Sequence, residues 1–537
     1  MSRRALLLTV SLLGLPALLH ANGVALDNEY VRVTRNSAPC ASAGPACAER
    51  VVVALGPLSL GGRSLTRGQI AVFERGQAYQ PPAAGEFLEV AFKPGRPAVP
   101  APPVRIAPEK NETLYDSDAL FVFEEKLQPG ETRARHSHTQ RVVVVINETR
   151  LQQWPDGAPE VLRHQVPDDV RFNPPVVHVV KNVGTAPLRN IVLQLRPQQV
   201  FKLGTFERSG RPMLGLVLND ALVVDIQAAN TSLEQLNRTQ KRIAMPATMK
   251  ELIERYEGEL GERLRLLARE AAARTSRPNY VHELASLKLR PPVPDPENIL
   301  NAAVNYTEHA TEMARRDAQA TPAPVNARTA PGIWERKPDD PRQNPYLFPK
   351  PRTALIASGE TIRIPPGREQ IDWECELNAV IGRRGHHVPL DRVRDHIFGY
   401  TLQNDVSDRG GRGDARHGSD WLIAKGHDTF APLGPFIVPK EFVPDPQKLG
   451  IKFSLSGTLM QDSGTDRMTH SVDEMVHYAS NILTLRPGDL ISTGSPAGVG
   501  SARNPPIFMK PGDVASCTIE GIGTLTNPVA AAVSEPR

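Results

Sequence analysis

Two valine runs set the terms for the first two hundred residues. Glu49-Arg50-Val51-Val52-Val53-Ala54-Leu55 and Gln140-Arg141-Val142-Val143-Val144-Val145-Ile146 hold equivalent places in two copies of one pattern. Each copy begins with a strand-like run, Glu29 to Val33 or Leu120 to Phe123, and the copies continue alike after the valines. Arg67-Gly68-Gln69-Ile70 matches Arg163-His164-Gln165-Val166. Pro81-Pro82 matches Pro174-Pro175, and Phe87 to Phe92 matches Ile191 to Leu195. Short β-branched runs between turn residues form strands. Repeats over about 28–95 and 115–198, joined by the proline-rich Phe92–Pro108, therefore predict an all-β region over 22–198.

The residues before this region read as an export signal, 1–21. Arg3 and Arg4 precede an apolar run, Ala5 to Leu19, and His20-Ala21 offers a small-residue cleavage site. Ser2-Arg3-Arg4-Ala5-Leu6-Leu7 partly resembles a twin-arginine signal, so the expectation is an exported, periplasmic protein whose mature chain starts near Asn22. The apolar run is short for a membrane span, and no longer one follows. Acidic and basic residues nearly balance, for a net charge of +4, which gives no nucleic-acid footprint. Of the four cysteines, Cys40 and Cys47 are a candidate small-loop disulfide. Cys375 and Cys517, far apart in strand-like runs, are expected to be buried thiols.

From Phe201 the texture changes. Gly215 to Leu218 and Leu222 to Asp225 flank Asn219-Asp220-Ala221, a hairpin signal. Thr248 to Arg274 carries apolar residues at helical spacing (Leu252, Ile253, Tyr256, Leu260, Leu264, Leu267) and predicts one long helix. Pro291 to Pro296 is a linker, and Gln319 to Pro345 is a long polar loop. From Pro349 to Val529 short strands and turns alternate, with a helix expected over Ser471 to Leu483. The fifty prolines of the chain agree with many turns and few long helices. This part divides into 201–290 and 297–532.

Within 297–532 the chemistry starts at Ile371-Asp372-Trp373-Glu374-Cys375-Glu376-Leu377. Residues i and i+2 of a strand share a face, so Glu374 and Glu376 present two carboxylates together. A buried pair of anions needs compensation, and a hard divalent cation supplies it. Asn404-Asp405-Val406-Ser407-Asp408-Arg409 ends a strand and brings a third carboxylate, Asp405. Lys425 lies in a third segment, Trp421 to Pro435. Thr493-Gly494 lies in a fourth, Leu485 to Gly500, whose small residues let backbone N–H groups approach an anion.

These four segments, in this order, resemble the fumarylacetoacetate hydrolase family. Its D-x-E-x-E-L, N-D-x-S-x-R, K-x-x-D-x-F-x-P-x-G-P and T-G-[TS]-P-x-G-V-G patterns are present, as are Gly512-Asp513-Val514 and Gly521 to Asn527. Leu203 to Glu207 and Asn305 to His309 match the family's N-terminal portion, and the resemblance runs from about 201 to 530. It implies Glu374, Glu376 and Asp405 as ligands of Mg²⁺ or Mn²⁺, with Ca²⁺ as a further candidate. It implies Lys425 as the group polarising a substrate oxygen, and Arg409, Thr493 and Gly494 as substrate contacts. His309 and Glu312 match a lid dyad in which the Glu orients the His as general base. The substrate class implied is a small 2-oxo acid or 1,3-diketo acid, handled through an enolate stabilised at the cation. Hydrolysis of a carbon–carbon bond, as in acylpyruvates, is the leading reaction; decarboxylation, isomerisation and hydration share the same site. A homodimer is also implied. The chain departs from the family at Asp408-Arg409-Gly410, where Ala-Arg-Asp is usual, and at His427, where an apolar or aromatic residue is usual.

Gly130 to His138 resembles the first cupin motif, and His178 to Asn182 the end of the second. His136, His138 and His178 are thus a candidate second metal site, although Val142 and Val143 stand where the motif's glutamate belongs. The first repeat lacks the histidines. The fold expected is mainly β with α+β elements: a two-repeat cupin-like β-barrel region, then a mixed β-sandwich or roll catalytic domain. The rival reading is a cupin-centred metal-binding protein whose C-terminal domain is inactive.

Overall fold

The computed structural model describes residues 23–35, 47–74, 77–93, 111–117, 119–196, 199–236, 241–274, 276–316, 332–334, 340, 342, 344–411 and 420–532. The export signal, Cys40 and most of the Gln319–Pro345 loop lie outside them. The chain is mainly β and divides into two compact units, residues 1–198 and 199–537. Among the described residues no helix is long and apolar enough to cross a membrane.

In the N-terminal unit the sequence repeat is a repeat of topology. One five-stranded sheet runs in the order Val24–Asp27, Val31–Thr34, Phe87–Phe92, Arg50–Ala54, Ile70–Phe73. A second runs Asn111–Asp116, Leu120–Leu127, Leu188–Leu195, Arg141–Val145, Val170–Asn173, the same order copy for copy. Both valine strands are buried along their whole length. Val53, Leu88, Val122, Val144 and Ile191 share one core drawn from both copies. The copies differ in what accompanies the sheet. Among the described residues the first has the two-stranded Leu58–Leu60 and Arg63–Leu65. The second has a four-stranded sheet ordered Thr132–His138, Val176–Asn182, Thr149–Pro155, Val161–Gln165.

The C-terminal unit is built on a 12-stranded sheet whose middle runs Ala431–Pro439, Ile397–Asn404, Cys375–Ile381, Leu490–Ser492, Ile299–Ala302. Cys375–Ile381 and Ile397–Asn404 are buried at every residue, so both faces are covered. A five-stranded sheet, Ile362–Ile364, Gly523–Ala531, Val514–Ile519, Gly450–Leu455, Thr458–Gly464, packs on one side. The expected hairpin forms between Arg211–Leu218 and Leu222–Asp225 across the three residues Asn219, Asp220 and Ala221, with Asn219 and Asp220 both at φ 52°, a left-handed conformation that Asn and Asp tolerate. The expected Ser471 helix spans Val472–Ile482, and Ser471 and Glu474 form a reciprocal capping box at its start.

Two expectations are corrected. The long helix is two, Met249–Arg255 and Gly261–Ala273, broken where Gly258 takes φ 105°, a conformation closed to ordinary helical residues. The apolar spacing survives because the two helices and the Tyr256–Leu260 segment between them bury Leu252, Ile253, Tyr256, Leu260, Leu264 and Leu267 in one core. Cys375 and Cys517 are not thiols: they form a disulfide joining the metal-strand candidate to Val514–Ile519, with Cα atoms 5.5 Å apart. Sequence separation hid the pair, because strand order, not distance along the chain, makes them neighbours. Cys47 is also disulfide-bonded.

Candidate metal centre and active site

The three carboxylates converge. Each of Glu374, Glu376 and Asp405 offers an oxygen within 4.8 Å of the others, and all three are buried. Glu376 lies in the strand Cys375–Ile381, whereas Glu374 stands just before it and Asp405 just after Ile397–Asn404. The neighbouring strand holds Glu374 in line: Asn404 Oδ1 accepts from the Glu374 N–H at 3.0 Å, and the Asp405 N–H donates to Glu374 O at 2.8 Å.

Three cationic side chains pair with this cluster. Lys425, at the end of the short helix Trp421–Lys425, donates from Nζ to Glu374 Oε2 at 2.7 Å and to Asp405 Oδ2 at 2.6 Å. Asp420 positions that helix by capping the N–H groups of Leu422 and Ile423. Lys350 reaches Asp405 Oδ1 at 2.5 Å and Val406 O at 3.2 Å from the other side. Arg409 donates to Asp372 Oδ2 at 3.0 Å through Nε and to Glu374 Oε1 through Nη2. Burial acts to raise the Glu374 carboxyl, and Lys425, Arg409 and His309 outweigh it, holding the group well below the usual carboxylate range.

Glu376 is different. Its Oε2 accepts from Ser492 Oγ and, at 3.2 Å, from the Gly494 N–H, but its buried Oε1 has no hydrogen-bond partner. Burial, then the charges of Asp405 and Glu374, pushes this carboxyl well above the usual range. A buried acceptor without a donor, facing two more carboxylates, is the environment a cation relieves. The oxygen-only donor set fits a hard divalent ion.

The lid dyad is assembled. His309 Nδ1 lies 3.2 Å from Glu312 Oε2 on the helix Thr307–Arg316, and both Glu312 oxygens accept from the Gly498 N–H at 3.2 Å. His309 is buried, near enough to Glu374 to act on its charge. Thr493 and Gly494 lie where the sequence places them, but their polar groups are engaged: Thr493 Oγ1 donates to Leu377 O at 2.9 Å. Gly494, at φ 86°, could not carry a side chain, since a Cβ would stand 2.9 Å from Asn305 Cβ.

Sequence reasoning missed four supports. Lys350 sits between Pro349 and Pro351, where nothing nearby in the chain signals a charge partner. Asp372, the first residue of the acidic pattern, accepts from the N–H groups of Gly500 at 2.6 Å and Ser501 at 3.1 Å while holding Arg409. Asn404 orients Glu374. Asn305 donates to His470 O at 2.9 Å and Thr493 O at 2.8 Å, pinning the Thr493 turn. The two family departures meet: His427 Nε2 is 3.5 Å from Asp408 Oδ2, which also pairs with Arg368.

In the N-terminal unit His136, His138 and His178 also come together, all buried, with ring nitrogens within 4.8 Å of one another. Burial lowers the first two imidazoles and takes His178 down to about 3.

Comparison with known proteins finds relatives of the C-terminal unit. The profile for the fumarylacetoacetate (FAA) hydrolase C-terminal domain matches residues 298–530. The mitochondrial oxaloacetate tautomerase fahd2 of Xenopus laevis is 33% identical over 66% of this chain and 97% of its own length. The oxaloacetate tautomerase YisK of Bacillus subtilis is 30% identical over 61% of this chain and 99% of its own. Among solved structures, maleylpyruvate hydrolase from Sphingobium sp. SYK-6, in complex with manganese (II) ion and pyruvate, is 27% identical, with a TM-score of 0.45 over 62% of this chain and 100% of its own. With near-complete coverage of relatives at this identity, and the family's motifs gathered around one buried carboxylate cluster, the chain belongs to the fumarylacetoacetate hydrolase family.

Proposed function

We propose that the C-terminal unit is a divalent-metal-dependent enzyme that converts a small 2-oxo acid through its enolate, and that its leading substrates are dicarboxylic 2-oxo acids of the oxaloacetate kind. The observation that carries this reading is the juxtaposition of Glu374, Glu376 and Asp405 with Lys425 and the His309–Glu312 dyad. The oxaloacetate tautomerases that this chain resembles along nearly their whole length support the substrate class.

Mg²⁺ or Mn²⁺, held by Glu374, Glu376 and Asp405, would act as Lewis acid toward the keto oxygen. The remaining work falls to side chains. Lys425 places a fixed positive charge beside the cluster, where negative charge grows on the substrate oxygen. Arg409, when it exchanges Glu374 for substrate, binds a carboxylate. His309 is the proton carrier, and Glu312, fixed by the Gly498 N–H, holds the ring by accepting from Nδ1, leaving Nε2 to face substrate. Proton transfer at the carbon beside the keto group gives tautomerisation. The same His309 acting on water gives the second reading, carbon–carbon hydrolysis of an acylpyruvate, which the assembled dyad favours.

The test is a paired assay of the purified chain with Mn²⁺: enol–keto conversion of oxaloacetate, and acid release from acylpyruvates. Conversion of oxaloacetate that falls in His309→Asn supports the first reading; acid release with the same dependence supports the second. Turnover of neither substrate by metal-loaded protein sinks both.

We also propose that the protein is exported and that its N-terminal unit is a cupin-like module. The disulfide-bonded Cys47, Cys375 and Cys517 support an oxidising compartment. A homodimer remains the expectation from the family, read by light scattering in solution.

A further inference from the structure

The two copies of the N-terminal repeat treat one buried arginine differently. Arg50 and Arg141 open the two valine runs. Each shares a strand face with the second valine of its run, Val52 or Val143, and that face turns away from the core the copies share. The neighbouring strands keep an equivalent register: Val52 stands opposite Glu89, and Val143 stands opposite Val192. In the first copy Arg50 Nη1 donates to Glu89 Oε1 at 2.9 Å, and its guanidinium lies 4.6 Å from the centre of the Tyr79 ring. Leu58, Leu60, Leu65 and Phe87 close that face as an apolar core. In the second copy Val192 holds the Glu89 position, so Arg141 loses the equivalent carboxylate.

A cavity takes the place of the apolar core. It measures about 420 Å³, counted out to its open mouth, and Arg141, Arg163 and Arg171 stand in its wall. Arg171 is paired with Asp169, and Glu125, also in the wall, is paired with Arg133 at 2.7 Å. Arg141 gives Nη1 to the carbonyls of Pro174 at 2.9 Å and Thr139 at 3.3 Å. Burial takes its guanidinium down to about 10, and Glu125 does not make up the loss. Arg163 makes no hydrogen bond or ion pair among the described residues. A cation withdrawn from water without a counter-charge is costly, and this cavity holds two. Gln165 Oε1 and Asn190 Oδ1, on residues of the same wall, are buried acceptors with no donor. A carboxylate suits the guanidinium groups, and a hydroxyl suits the acceptors.

We propose that the cavity of the second copy binds a small hydroxylated carboxylic acid, with its carboxylate on Arg141 and Arg163 and its hydroxyl on Gln165 or Asn190. The first copy carries its counter-anion in the chain, as Glu89, whereas the second takes one from solution. Binding here needs no metal and does not depend on the reaction proposed for the C-terminal unit.

The test is calorimetric titration of the full chain, freed of metal on a chelating resin, with malate, succinate and sulfate as probes. Malate and succinate share a carbon skeleton and charge and differ by one hydroxyl. Expected is one malate per chain, bound about fivefold more tightly than succinate and about tenfold more tightly than sulfate. Arg163→Met is expected to weaken malate by about tenfold. Val192→Glu, which rebuilds the pair of the first copy, is expected to abolish malate binding. A thermal melt shows whether that variant folds; where it does not, Arg163→Met decides alone. Arg409→Met, in the C-terminal unit, is expected to leave this binding unchanged. Absence of malate binding, binding at full strength in Arg163→Met or in folded Val192→Glu, or its loss in Arg409→Met overturns the site. Equal affinity for malate and sulfate overturns the carboxylate assignment, and equal affinity for malate and succinate overturns the hydroxyl contact.

Discussion

Nε2 of His427 lies 3.5 Å from Oδ2 of Asp408, so the two positions at which this chain leaves its family's pattern are spatial partners. Asp408 is fully buried, pairs with Arg368 and accepts from the Gly410 N–H at 2.8 Å, whereas the His427 side chain is 28% exposed. The carboxylate therefore carries the structure and the imidazole trims the pocket. Asp408→Asn should cost about 3 kcal/mol in urea unfolding, because the buried carboxylate that pairs with Arg368 loses its charge. His427→Phe should cost less than about 1 kcal/mol and act on KM more than on kcat. Equal losses from the two changes would refute this division.

Glu376 should be a burden on the metal-free protein. Its Oε1 is buried without a donor. Glu376→Gln should raise stability in chelator by about 1–3 kcal/mol while lowering Mn²⁺ affinity by roughly a hundredfold. Thermal melts with and without Mn²⁺ read both effects, which have opposite signs.

Metal binding should depend on pH through the same residue. Burial and the charges of Asp405 and Glu374 raise the Glu376 carboxyl above its unfolded value. The metal-free native state thus keeps a proton that the unfolded chain gives up, and its stability falls as pH rises through the raised value. A cation must displace that proton, so affinity climbs with pH and levels off once Glu376 is ionised. Calorimetric titration in two buffers of different ionisation enthalpy should show about one proton released per cation.

The two buried lysines should separate by phenotype. Lys425 bridges Glu374 and Asp405, beside which the proposed function sets the substrate oxygen, whereas Lys350 pairs with Asp405 and a backbone carbonyl. Lys425→Met should lower kcat by about 10²–10³-fold with Mn²⁺ still bound. Lys350→Met should chiefly lower stability, by about 3–5 kcal/mol, as measured by denaturant unfolding.

The Cys375–Cys517 bridge closes a separation of 142 residues. Cys375→Ser/Cys517→Ser should lose about 5 kcal/mol of stability on the chain-entropy scale. Both cysteines are buried, so a mild thiol reductant should leave the bridge intact in native protein and cleave it after unfolding. Mass spectrometry after alkylation decides.

The sequence was most legible where local chemistry and periodicity agree. The valine runs, the Asn219-Asp220-Ala221 turn and the helix over Ser471 to Leu483 all report on their own neighbourhoods. The acidic pattern and its order with Asp405 and Lys425 marked residues that the fold gathers in one buried cluster. Contacts between distant segments were not legible. Lys350 reaches Asp405 across 55 positions, and Asp372 reaches Gly500 across 128; neither partner leaves a mark near the other. The break at Gly258 was hidden by an apolar spacing that serves two helices as well as one.

The disulfide also bears on alignment. Cys375 sits between Glu374 and Glu376, and successive side chains of a strand face opposite ways. If this strand slid by one residue against Ile397–Asn404, Glu376 would turn out of the cluster and Cys375 would turn in. A covalent tie from Cys375 to Cys517 on the opposite face forbids that slide. The cross-link is thus a frame lock: it fixes which face of the strand is acidic for as long as the bridge remains closed.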